Sequence, residues 1–79
     1  MVNLVGYNRF KSNKKGKVFC IAYITRSSND SSVVGAIAEN FFMPDSLVDL
    51  FTPDDIGAEL LLEYEFKGQR VYLSNVIIK

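Results

Sequence analysis

Residues 44–57 read PDSLVDLFTPDDIG and interrupt a chain that otherwise patterns as β-structure. Asp45 or neighbouring Ser46 can cap a short helical turn running to Phe51, and Leu47, Leu50 and Phe51 follow helical apolar spacing. Thr52, Pro53, Asp54 and Asp55 repeat the start signal, with an N-cap residue, proline at the first helical position and acids in the first turn. Turns this short do not hold by themselves, so they have to pack on the rest of the chain.

Before this segment the pattern predicts three strands. Residues 2–10 (VNLVGYNRF) form the first, with Gly6 marking a bend or bulge. The polar stretch KSNKKG, with Gly16 free to take positive φ, turns the chain over residues 11–17. The second strand spans 17–25 (KVFCIAYIT), with Phe19, Ile21 and Tyr23 on one face and Val18, Cys20, Ala22 and Ile24 on the other. After the loop RSSNDSS, residues 33–43 (VVGAIAENFFM) give the third strand, with Gly35 as a second bend and Phe41 and Phe42 on opposite faces.

After the segment comes a plain hairpin. In residues 58–66 Leu60, Leu62, Tyr64 and Phe66 alternate with Glu59, Leu61, Glu63 and Glu65, KGQ turns the chain, and RVYLSNVIIK returns it. Five strands with a helical segment between the third and fourth predict an all-β chain, a five-stranded OB-fold-like Greek-key barrel forming one domain over residues 1–79. An SH3-like barrel has the same strand count.

The 79 residues include no histidine and only one cysteine, Cys20, so an intrachain disulfide and a zinc-type ligand set are both excluded. Cys20 lies in an apolar run and reads as a small core residue, a usage that suits a reducing compartment. There is no phosphate-cradling glycine loop and no Ser or Cys beside a base, and Glu59, Glu63 and Glu65 read as a solvated strand face. The expectation is a binding protein and not an enzyme, with no metal and no cofactor. Neither a secretory signal nor a membrane-spanning run is present in the sequence, so a cytoplasmic location is expected.

The zero net charge conceals a separation. Residues 1–26 carry Arg9, Lys11, Lys14, Lys15, Lys17 and Arg26 and no acid, while residues 27–79 carry all nine acids against Lys67, Arg70 and Lys79. Such asymmetry predicts a polyanion or an acidic partner for the basic side. Single-stranded nucleic acid needs cations along its phosphates and aromatic faces for its bases, and the first hairpin holds both kinds of residue. Tyr7 and Arg9 share one strand face, Lys17, Phe19 and Tyr23 share another, and Lys11, Lys14 and Lys15 crowd the turn. In an OB-fold the second binding loop joins strands four and five, and here it carries Lys67 and Arg70.

The layout YNRFKSNKKGKVFCIAYI, then AENFFMPDSLVDLF, then IGAELLLEYEFKGQRVYLSNVII resembles the small single-stranded-DNA-binding (helix-destabilising) replication proteins of filamentous phages and related elements. The features that carry the resemblance are the GK-containing first hairpin, Gly57 before a strand of alternating acids and aliphatics, and the closing KGQRVYLSNVII hairpin. The resemblance implies a homodimeric OB-fold in the host cytoplasm, coating single-stranded DNA cooperatively with little sequence preference. It assigns Arg9, Lys11, Lys14, Lys15 and Lys17 to phosphate and Tyr7, Phe19 and Tyr23 to base stacking. Two alternatives fit the same charge pattern. RNA can replace DNA, since only contacts to the 2′-hydroxyl separate them, and a β-barrel adaptor can grip an acidic protein through the same hairpin.

Overall fold

The computed structural model describes residues 2–14 and 16–79. Five antiparallel strands, β1 (Val2–Lys11), β2 (Val18–Arg26), β3 (Ile37–Phe42), β4 (Glu59–Lys67) and β5 (Arg70–Ile78), form one sheet in the order β3-β2-β1-β4-β5. Two 3-10 turns, Asp45–Leu47 and Pro53–Asp55, lie between β3 and β4. The chain is therefore all-β, as its alternation predicts. The expected barrel is not closed, because β3 and β5 are the two edges of the sheet and share no ladder. Among the described residues no helix is long and apolar enough to cross a membrane.

The interrupting segment behaves as its residue types require. Thr52 and Asp55 form a capping box, with the Thr52 backbone N–H donating to Asp55 Oδ2 at 2.7 Å and the Asp55 N–H donating to the Thr52 side chain. The first turn differs from expectation: Pro44 occupies its N-cap and no side chain caps it. Phe51, at the end of this segment, is buried and packs its ring 5.8 Å from that of Tyr7. The third strand is also shorter than expected. Residues 33–36 belong to the preceding loop, where Gly35 takes a φ of +90°, a conformation that leaves the strand region.

Gly6 does mark a bulge. Leu4 pairs with Ile24 and Gly6 with Tyr23, so Val5 is the extra residue and the side-chain phase of β1 slips by one. Before the bulge Leu4 faces the core, and after it Tyr7 does, opposite Ala22. The core is small: Leu4, Cys20, Ala22, Ile24, Met43, Phe51, Leu60 and Val76. Burial raises the pKa of the Cys20 thiol and keeps it protonated, consistent with its place in that core.

The two hairpins meet at a narrow junction. Among the described residues β1 and β4 pair only through Val2↔Leu60 and Asn3↔Glu59, extended by Leu4 N–H to the Ala58 carbonyl and Gly57 N–H to the Leu4 carbonyl. Since the pairing is antiparallel, β1 and β4 run away from this junction in opposite directions. The molecule is accordingly long, 44 Å in its largest dimension. Its accessible surface is 5796 Å², where about 4,800 Å² is usual for a folded chain of this mass. The radius of gyration is 13.9 Å against about 11.6 Å for a compact domain of this length.

Candidate nucleic-acid interface

The first hairpin has two unlike faces. On its inner side Tyr7, opposite Ala22, lies against Phe51. Arg9, opposite Cys20, stretches over the Tyr7 ring at 5.0 Å and donates from Nε to the Val48 carbonyl at 2.6 Å and from its other guanidinium nitrogen to the Phe51 carbonyl. The Asp49 carboxylate lies 3.8 Å from Nε. These contacts hold the 3-10 segment on the sheet, and hydrogen bonds from a charged donor are among the stronger ones available.

The outer side carries an aromatic surface. Phe10, Phe19 and Phe42, from three adjacent strands, form a mutual cluster. Phe10 and Phe19 are nearly parallel with centroids 5.7 Å apart, and Phe42 meets both edge-on at 6.4 and 6.2 Å. Phe42 is 60% exposed, and Phe10 and Tyr23 also present surface to solvent. Tyr23 lies on the same outer face as Phe19, with its ring edge beside Gly6. The alternation of an antiparallel sheet normally places polar side chains on its solvent face. Here that face holds three phenylalanines and a tyrosine.

Cations border this surface at one end. The turn is closed by Ser12 N–H to the Lys17 carbonyl and Gly16 N–H to the Ser12 carbonyl, both 2.9 Å, with Gly16 at a φ of +62°. Lys11 and Lys14 are exposed around it. Lys17 places its ammonium 5.5 Å from the Phe19 centroid and 2.5 Å from Asp45 Oδ2. Lys15, also assigned to this surface by its sequence position, lies outside the described residues.

The ten residues singled out by sequence do not form one site. Lys17, Phe19 and Tyr23 come together on the outer face of the first hairpin, with Lys14 in its turn, while Lys11, opposite Val18, is in register with the inner face at the end of the strand. Tyr7 and Arg9 are turned to the inner face and occupied there. Lys67 and Arg70 lie at the tip of the second hairpin, which points away from the first, so the two basic loops are not brought side by side. Two residues of the surface, Phe10 and Phe42, were not among the ten. Carrying the one-residue slip of a bulge at Gly6 along β1 finds Phe10, because it places positions 8 and 10 outward and 7 and 9 inward. No family model, curated protein or solved structure matches this chain. What the fold and the surface define is a small all-β protein with a cation-bordered aromatic sheet face.

Proposed function

We propose that this protein binds single-stranded DNA without sequence preference and coats it as a homodimer during replication of the phage or plasmid type. The observation that carries the reading is the outer face of β1–β2–β3, where Phe10, Phe19 and Phe42 cluster beside Tyr23 with Lys11, Lys14 and Lys17 at one end. Aromatic rings on an open sheet face offer bases a flat apolar partner, worth about 1–3 kcal/mol per base. Ammonium groups at its border neutralise phosphate and release counterions, a contribution blind to sequence. Exposed rings can stack on any base, which suits coating better than recognition of a particular sequence.

No chemistry is assigned to the chain in this reading, and it uses no metal or cofactor. RNA satisfies the same stacking and charge contacts. An acidic protein partner would use the lysines and leave the rings idle. Replacing Phe19 or Tyr23 by Leu separates these readings. Each replacement weakens binding to a dT oligonucleotide by about 1–3 kcal/mol while the unfolding midpoint moves little. Tyr7→Leu does the opposite, lowering stability through its contact with Phe51. Equal binding by all three variants, with folding intact, removes the stacking surface from the account.

A further inference from the structure

The second hairpin has an apolar face that its own chain leaves uncovered. On the side continuous with the core, Leu60, Leu62, Tyr64 and Phe66 of β4 stand opposite Ile78, Val76, Leu73 and Val71 of β5. Burial falls along this face from root to tip. Leu60 and Val76 are buried and Leu62 and Leu73 half-buried, whereas Tyr64 and Val71 are 57% and 56% exposed and Phe66 is 81% exposed. At the root lies a cavity of about 430 Å³ lined by apolar residues that include Val2, Ile24, Leu62 and Tyr64 and by the charged Arg26, Glu39, Glu59 and Lys79, with Arg26 paired to Glu39 at 2.7 Å. One surface therefore presents a bulky apolar side chain at its far end and an unfilled, partly apolar recess at its near end.

We infer that a second copy of this chain covers this face, its Phe66 entering the cavity at the root of the first copy's hairpin while the first copy's Phe66 enters its own. This rests on the homodimer of the proposed function and specifies its interface. Three observations favour this occupant. A face with a knob at one end and a hole at the other is complementary to itself after a two-fold rotation, as an isologous contact requires. Adjacent same-face residues are about 6.6 Å apart along a strand, so an axis passing near Tyr64 sets each Phe66 over the other copy's Leu62, at the cavity mouth. The protomer also exposes roughly 1,000 Å² more surface than its mass calls for, a little above the ~800 Å² that each partner buries in a standard interface.

The test is sedimentation equilibrium of the full chain together with directed cross-linking. The wild-type protein is expected to be a dimer at high micromolar concentration, and Phe66→Glu to raise its dissociation constant at least about 30-fold while the circular dichroism spectrum stays that of the folded chain. In the double variant Leu62→Cys/Phe66→Cys the two thiols of one chain are about 13 Å apart, too far to join, so mild oxidation yields a covalent dimer only if each reaches the other copy. Either single variant places its own thiols equally far apart across the axis and stays uncross-linked, and Cys20 is buried. A monomeric wild type, an undiminished dimer in Phe66→Glu, or single variants that cross-link as well as the double one would each overturn the inference. Binding of dT oligonucleotide, measured on the same samples, keeps the two readings apart. A monomer that still binds the strand sinks the homodimer and this interface but not the strand reading, and a dimer that binds none sinks only the strand reading.

Discussion

The two hairpins are built from similar materials and put to opposite uses. In the first, the inner face is fastened down by Phe51 beneath Tyr7 and by the Arg9 guanidinium on the Val48 and Phe51 carbonyls. Its outer face can therefore afford exposed rings, because the strands beneath them are held in place. In the second, only the root is fastened, through the short β1–β4 ladder, and the distal apolar face has nothing beneath it. Beyond the exposed Leu61–Ile77 pair, the outer side of that hairpin is polar, with Tyr72 donating to Glu65 at 2.7 Å and Asn75 to Glu63 at 2.8 Å. The comparison separates two kinds of exposed aromatic. Those of the first hairpin stand on a supported sheet with cations at its border. Those of the second extend beyond the core with none of their own chain beneath them.

The most disruptive way to break this contrast is to remove the support of the first hairpin. Phe51→Ala empties a fully buried site and withdraws the ring that Tyr7 packs against, at a cost of about 3–5 kcal/mol. A domain of this size has little more stability than that, so the urea transition is expected to shift to very low denaturant or vanish. Phe66→Ala, measured in dilution, should move the same transition by no more than about 0.5 kcal/mol. Comparable losses at the two positions would mean that the second hairpin is supported from within the chain after all.

Much of this arrangement was legible in the residues. The strand alternation, the Thr52–Asp55 capping box with Pro53, and the positive-φ glycine at Gly16 are local signals, and local structure follows them closely. The faces of β1 were harder to read. A single extra residue at Val5 inverts every side chain that follows, so Tyr7 and Arg9 turn inward and Phe10 outward, although Gly6 advertised the irregularity. The separation of the two basic loops was not legible at all. It depends on how few residues β1 and β4 share, and ladder length is set by tertiary packing, which no single strand encodes. The end of the third strand was misjudged for a simpler reason: Val33 and Val34 have strand propensity, but Gly35 takes a conformation that ends the ladder.

A smaller effect sharpens the account of the first hairpin. Lys17 divides its ammonium between the Phe19 ring and Asp45. Asp45→Asn releases it toward phosphate at the expense of an exposed ion pair worth at most about 1 kcal/mol. Affinity for dT oligonucleotide is therefore expected to rise a few-fold, with the unfolding midpoint nearly unchanged. A fall in affinity would show that Asp45 positions Lys17 for binding instead of competing for it.

The smallest expected effect belongs to the second hairpin. The hydrogen bond from the Tyr72 hydroxyl to Glu65 raises the pKa of the phenol, because ionisation would remove the donated proton and set two negative charges together. A folded-state pKa above the unfolded value gives stability that is whole below the unfolded pKa and is lost as pH rises through the folded one. Alkaline titration should thus loosen the second hairpin slightly above the ordinary tyrosine range, and Tyr72→Phe should abolish that component. The same loss in Tyr72→Phe would assign it to another group.

The central claim is that the outer face of the first hairpin takes single-stranded nucleic acid. It is tested most directly by titrating salt against binding of the wild-type protein to a fluorescent dT oligonucleotide, with a duplex of equal length as control. The account predicts preference for the single strand and a log–log slope of about −2 to −3, from roughly −0.7 per phosphate neutralised by the turn lysines. Equal affinity for the duplex, or no binding to either at low salt, would contradict it and leave the lysines to an acidic protein partner.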